Sequence, residues 1–132
     1  MDDISSINGD GVFDIDRDII YPASLKLKKE NQGDISADIL DLSINLQDNL
    51  FGYKLFDKRD HFKFDIVNYP DLSGNISASC GYGVVKSELK RYATLSSNFS
   101  DYIQRMRLLI EKLKKKHYDA DRLTSISRSV RF

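Results

Sequence analysis

The sequence predicts an α+β fold, in which a small antiparallel sheet is followed by a three-helix bundle. Between residues 39 and 56, apolar and polar residues mostly alternate on either side of the turn-forming residues 47–49, which is typical of a β-hairpin. After residue 80, apolar residues recur three and four positions apart, as they do in amphipathic helices. With 132 residues, of which 41% are hydrophobic and 30% charged, the chain has the size and composition of one globular domain.

Strands are expected in several stretches of the first half. Leu25 and Leu27 alternate with lysines, as in a half-exposed strand. The hairpin is expected to pair one strand at residues 39–46 with a return strand at residues 50–56. The stretch "FKFDIV" at residues 62–67 is predicted as a third strand.

Three helices are expected in the second half. The first is predicted from about Gly81 to Leu95, with Tyr82 and Tyr92 in the core. The second is predicted to begin near Ser97-Asn98, which are good N-cap residues. The third is expected to start near Asp119 or Asp121 and to bury two apolar residues, Leu123 and Ile126.

Composition and cysteine content limit the class of protein. Cys80 is the single cysteine, which excludes an internal disulfide and suits a reducing compartment. The sequence shows neither a secretion leader nor an apolar run approaching about 20 residues. A monomer in the cytoplasm or nucleus, away from membranes, is therefore expected.

The zero net charge of the chain hides an asymmetry between its halves. Residues 1–79 include 15 acidic and 8 basic residues, whereas residues 80–132 include 5 acidic and 12 basic ones. A basic second half favours a polyanionic partner. The other interpretation is that the two oppositely charged halves attract each other.

Three stretches, in the same order, carry a resemblance to a known family. They are "MDDI" at the start, "IYPASLKLKKEN…ADILDLSI" with "KLFDKRDHFKFDIVNYPDLSGNI", and "YGVVKSELKRYATLSSNFSDYIQRMRLLIEKL". In these the chain resembles the reverse transcriptases of animal retroelements, including relatives of the Penelope-like group. The resemblance implies a partial palm subdomain with its hairpin at residues 1–79 and a helical, thumb-like subdomain at residues 80–132.

The catalytic chemistry that the resemblance implies centres on Asp2 and Asp3. In the family, this pair ends a box that opens with an aromatic residue, so Met1 is not expected to be the true start of the domain. Together with a third aspartate from upstream, the pair would hold Mg²⁺, which prefers carboxylate and phosphate oxygens. Two such ions support nucleotidyl transfer from deoxynucleotide triphosphates to a primer–template. The other interpretation is an exposed, solvated acidic pair.

A lysine follows the palm helix in the family, and Lys29 is the best match, with Lys28 beside it. The resemblance implies that Lys29 protonates the leaving pyrophosphate or steadies the triphosphate. A lysine on the solvent side of an edge strand is an equally good interpretation.

Five further basic residues are candidates for contact with the nucleic acid. Lys58 and Arg59 match a charged hairpin that grips the primer backbone, although they could instead pair with neighbouring aspartates. The other three lie on or near one polar face of the first helix and would contact duplex phosphates, unless they are only solvated: Lys86, Lys90 and Arg91.

Two histidines depart from the family pattern. His61 stands where the family usually has an aspartate, which weakens the expected acidic partner of Arg59. His117 stands where a glycine often follows the second helix, and its presence removes an easy left-handed cap.

The resemblance therefore implies a fragment of an RNA-directed DNA polymerase that is inactive alone. The alternative is a non-catalytic nucleic-acid-binding or interaction module derived from a retroelement.

Overall fold

A computed structural model describes residue 24, residues 35–64, residue 66 and residues 69–132. Within this part of the chain, three antiparallel strands precede three α-helices, which confirms the predicted α+β architecture. The elements, in chain order, are β1 (Ser36–Ile39), β2 (Leu42–Gln47), β3 (Leu50–Leu55), a 3-10 helix (Lys58–His61), α1 (Ala78–Thr94), α2 (Phe99–Lys114) and α3 (Ala120–Ser129).

The predicted hairpin forms between β2 and β3. Gln47 pairs with Leu50 at its tip, and the two turn residues between them, Asp48 and Asn49, have φ values of 50° and 62°. Positive φ at both central positions matches the right-handed twist of the flanking strands, and Asn and Asp tolerate it better than most residues do. The turn is therefore where the sequence predicted it.

The first hairpin strand was predicted as one run but is interrupted. Leu40 has a φ of 53°, and Ile39 pairs with Leu42 across the turn it makes. The run from Ser36 to Gln47 is thus two antiparallel strands, β1 and β2. No glycine, proline or asparagine marks this turn in the sequence. The apolar residues on both sides of it therefore predicted a single strand.

The strand predicted at residues 62–67 is wrong for its described residues, since Phe62, Lys63, Phe64 and Ile66 belong to no strand. The chain leaves β3 through the 3-10 helix, which ends at His61, directly before this stretch. Asp57 caps that helix by accepting the backbone N–H of Arg59 at 3.0 Å, which turns the chain away from the sheet. The strand predicted around residues 25–27 lies outside the described residues.

The three helices begin close to their predicted positions. α1 starts three residues earlier than predicted, at Ala78. Asn98 caps α2 by accepting the N–H of Ser100 at 2.9 Å, and Asp119 caps α3 by accepting the N–H of Arg122 at 2.8 Å. None of the helices in the described part of the chain is long and apolar enough to cross a membrane.

The core joins one face of each helix to the end of the sheet. Leu89, Leu113 and Leu123 are at most 1% exposed and come from α1, α2 and α3 respectively. Leu55 from β3 and Tyr69 from the following loop belong to the same buried cluster. Tyr82 and Tyr92 lie in this cluster too, as predicted. The sheet is therefore docked onto the bundle at its Leu55 end.

The exit from α2 is held by a histidine in a left-handed conformation. His117 has a φ of 60°, and the N–H of the next residue, Tyr118, bonds the carbonyl of Leu113 at 3.3 Å. Both Leu113 and Tyr118 are buried, so the exit has the hydrogen bond and the apolar contact of a Schellman motif. His117 thus occupies the left-handed position after the helix, where glycine is usual.

Candidate nucleic-acid interface

The predicted catalytic residues Asp2, Asp3 and Lys29 lie outside the described residues. In the part of the chain that is described, no three His, Cys, Asp or Glu side chains are grouped so that they could hold a metal ion. Among the described residues, the candidate interface therefore consists of basic side chains.

Arg59 is bound by a neighbouring carboxylate. Its Nε donates to both carboxylate oxygens of Asp57, at 2.7 and 3.0 Å, and its Nη2 donates to Oδ2 at 2.7 Å. This two-point contact is the strong form of an arginine–carboxylate pair. The acidic partner of Arg59 is thus Asp57 and not a residue at position 61. The ring of His61 instead packs edge-on against the ring of Phe56, with the centroids 5.5 Å apart.

The pairing changes the acidity of both groups. Hydrogen bonds from Arg59 lower the pKa of Asp57, and the same contact raises the pKa of Arg59. Arg59 is about one third exposed, and among the described residues its Nη1 has no hydrogen-bond partner. The guanidinium is therefore partly accessible, and the exposed Lys58 precedes it in the chain.

Asp60 pairs across the molecule with an arginine of α2. Its Oδ2 accepts a hydrogen bond from Nη1 of Arg105, while Nη2 of Arg105 donates to the carbonyl of Leu55 at 3.1 Å. From the sequence, Asp60 was an alternative partner for its neighbours Lys58 and Arg59, and its pairing with Arg105 was not expected. Arg105 thus connects β3, the 3-10 helix and α2.

Arg91 is also engaged within the chain. Its Nη2 donates to Asp41 in the β1–β2 turn at 2.7 Å, and its Nη1 lies 3.6 Å from Glu88 on the preceding helical turn. Arg91 therefore points toward the sheet. Its two predicted companions, Lys86 and Lys90, are placed differently.

Lys86 and Lys90 lie four residues apart on one exposed face of α1. Their ammonium groups make no ion pair or hydrogen bond with other described residues. Gly83 lies on the same face, and a Cβ added there would meet nothing within 4 Å. We call Gly83, Lys86 and Lys90 the α1 basic face, an open surface with two free cations.

The charge asymmetry of the sequence is partly used inside the molecule. Two acidic residues before residue 80 form ion pairs with arginines after it, Asp41 with Arg91 and Asp60 with Arg105. The two halves thus attract each other in part. A cationic excess nevertheless stays exposed after residue 80, at Lys86, Lys90, Arg107, Lys112, Lys114, Lys115, Arg122, Arg128 and Arg131.

Three polar residues connect the helical half to the sheet and to the loop after it, and their contacts were not identified from the sequence. Ser97 was expected only as an N-cap residue, and no partner was expected for Arg105 or Lys116. Lys116 instead donates from Nζ to the carbonyl of Tyr69 at 2.8 Å. These contacts join residues more than 40 positions apart, which local patterns do not reveal.

Comparison with protein-family models, with curated proteins and with solved structures finds no match to this chain.

Proposed function

We propose that this chain is the C-terminal palm and thumb portion of a reverse transcriptase, in which the helices bind a primer–template duplex through the α1 basic face. The observation that carries the proposal is the pair of free, exposed cations at Lys86 and Lys90. The order of the elements, a small sheet before three helices, supports it as well. Two lysines one helical turn apart suit successive phosphates better than base edges, so the binding is independent of sequence.

Under this proposal, Asp2 and Asp3 provide carboxylate oxygens for Mg²⁺, a donor type that the ion prefers. The bound ion would neutralise the charge that develops on the transferring phosphoryl group. Lys29 would steady the triphosphate of the incoming nucleotide or protonate the pyrophosphate as it leaves. The proposal takes the third carboxylate from outside these 132 residues, so the chain alone is expected to show no polymerase activity.

A second candidate is a non-catalytic nucleic-acid-binding module that acts as a monomer in the cytoplasm or nucleus. The described core supports it, because buried residues from Leu55 to Leu123 join the sheet and all three helices in one cluster, as a folded binding module requires. In this candidate the α1 basic face has the same role, and no chemistry follows binding.

Binding to an RNA–DNA hybrid tests the role of the α1 basic face. Each phosphate neutralised adds about 0.9 to the slope of log affinity against log salt concentration on duplex DNA. We expect the double variant Lys86→Ala, Lys90→Ala to lower that slope by nearly two, measured by fluorescence anisotropy. The control variant Lys54→Ala, Lys63→Ala removes two exposed lysines from the sheet side and should leave it unchanged. An unchanged slope in the first variant would refute the proposed interface.

The reading frame upstream of Met1 separates the two candidates. An aromatic codon directly before Met1, preceded by a strand that bears an aspartate, would support the polymerase. Stop codons there would support the non-catalytic module.

A further inference from the structure

An open groove lies along one side of α2, and all of its described lining residues belong to this helix. Two of its apolar side chains are well exposed, Phe99 at 56% and Leu108 at 44%. The groove is lined by Phe99, Ser100, Ile103, Gln104, Arg107 and Leu108.

The ring of Phe99 is fixed at one side and open at the other. Phe132 packs against it with the ring planes at 68° and the centroids 5.4 Å apart. Tyr102, which is only 3% exposed, lies 6.1 Å away on the next helical turn. These contacts hold the ring in position while more than half of the residue faces solvent. A positioned, exposed aromatic ring is a platform on which a second flat ring can stack.

Arg107 supplies a cation in the same groove. It is exposed, and its guanidinium has no ion pair or hydrogen bond with any other described residue. It follows Phe99 by eight residues, which is about 12 Å along the helix axis. The groove thus combines a free aromatic surface with a free cation, whereas the α1 basic face offers cations alone.

We propose that this groove binds an unpaired stretch of nucleic acid, with one base stacked on Phe99 and a phosphate at Arg107. A base in a duplex is already stacked, so an exposed aromatic ring favours single-stranded over double-stranded ligands. Arg107 is the one charged residue among the described residues that line the groove, and its charge favours an anionic ligand over an apolar peptide. The site goes beyond the proposed function, since it differs from the duplex interface in position, chemistry and ligand.

The test for stacking uses the full chain and a fluorescent oligothymidylate of about 12 nucleotides, a length within the range that single-strand-binding domains cover. Phe99→Leu keeps an apolar side chain but removes the flat ring, and we expect about tenfold weaker binding. Phe99→Tyr keeps the ring and should retain the affinity of the unaltered chain. An oligonucleotide of the same length without bases should bind the unaltered chain about as weakly as oligothymidylate binds Phe99→Leu.

Arg107→Ala tests the phosphate contact. One phosphate contact fewer on a single strand should lower the salt slope by about 0.7. Lys112→Ala, on the same helix but outside the groove, is the matched control and should leave the slope unchanged. Circular dichroism verifies that each variant is folded.

Equal binding of oligothymidylate by the unaltered chain and Phe99→Leu, or of the ligands with and without bases, would overturn the proposal and leave the groove as a generic apolar surface. The variant Lys86→Ala, Lys90→Ala should bind oligothymidylate with the Phe99 dependence unaltered. The single-strand site and the duplex interface can therefore fail independently.

Discussion

His117 shows how one residue can hold a conformation that its side chain disfavours. Its φ of 60° belongs to the left-handed region, where a Cβ crowds the following carbonyl oxygen and costs about 1–2 kcal/mol. Its Nδ1 lies 2.8 Å from Oδ1 of Asp71, and next to it Lys116 accepts the N–H of Leu72 at 3.1 Å. The loop around Asp71 is thereby attached to the exit of α2, which compensates for part of the strain.

The backbone strain at this position can be measured with two substitutions. His117→Gly and His117→Ala both remove the contact with Asp71, but only the glycine tolerates a positive φ. We expect the glycine variant to have a free energy of unfolding about 1 kcal/mol greater than the alanine variant, measured by urea denaturation. Equal values would mean that the residue leaves the left-handed region when its side chain is lost.

Asp71 makes the stability of this junction depend on acid. Hydrogen bonds from the backbone N–H of Ser73, from His117 and from the Ser73 hydroxyl lower the pKa of Asp71 from 3.8 to about 2. Because the folded pKa is below the unfolded one, the stabilisation is complete above about pH 4 and is lost as the pH falls toward 2.

Asp71→Asn mimics the protonated carboxyl at every pH. Its stability should therefore be lower than that of the unaltered chain at pH 5, and the difference should shrink as the pH falls to 2. Urea midpoints at the two pH values measure it. A difference that stayed constant down to pH 2 would contradict this assignment.

At the scale of the element, β3 is an edge strand whose outer side is partly covered. Ser97, between α1 and α2, donates from its backbone N–H to the carbonyl of Tyr53 at 2.8 Å. Its hydroxyl also lies 2.9 Å from both the N–H and the carbonyl oxygen of Tyr53. A single serine thus satisfies both outward backbone groups of Tyr53, which an edge strand would otherwise leave open to another chain.

Removing the Ser97 hydroxyl should loosen this edge. We expect Ser97→Ala to lower the free energy of unfolding by about 1 kcal/mol and to speed hydrogen exchange of the Tyr53 amide, as followed by NMR. Ser100→Ala is the matched control, because only the backbone N–H of Ser100 takes part in the cap of α2. Unaltered exchange at Tyr53 in Ser97→Ala would show that water replaces the hydroxyl at no cost.

The elements that the sequence predicted well are those with a local signal. The turn at Asp48-Asn49 and the cap at Asn98 use residue types that favour those conformations. The turn at Leu40 carries no such signal, and residues 62–67 alternate like a strand although the chain has already turned away from the sheet in the 3-10 helix before them. In these two places the local pattern did not reveal where a strand ends.

The same distinction applies to the candidate site. Exposure of Lys86 and Lys90 on one face follows from helical spacing and was foreseen. Pairing of Arg59 with a neighbouring aspartate was foreseen as an alternative, but the sequence did not show which one. The contact of Arg91 with Asp41 was not foreseen, although Glu88 is a carboxylate one helical turn away. Asp41 lies 50 residues from Arg91, and no local rule connects them.

At the scale of the whole molecule, Arg105 connects the sheet and the 3-10 helix to the bundle. It pairs with Asp60 and also donates to the carbonyl of Leu55, the strand residue that enters the core. An exposed ion pair contributes little by itself, but a buried carbonyl that loses its donor is costly.

The two variants of this pair should consequently differ. Arg105→Ala is expected to lower the free energy of unfolding by about 1–2 kcal/mol because it frees the carbonyl of Leu55. Asp60→Ala should lower it by less than about 1 kcal/mol. Chemical denaturation of both variants measures the difference. Equal losses would mean that the ion pair, and not the carbonyl contact, joins the two layers.

The polar contacts that join the helical half to the sheet, its turns and the loop after it have one property in common. The contacted positions are 44 to 50 residues apart for Ser97, Arg105, Lys116, His117 and Arg91. The chain must close a loop of that size before any of these contacts forms, which costs conformational entropy. We therefore expect the helices and the hairpin, which use short-range bonds, to form before they dock on each other.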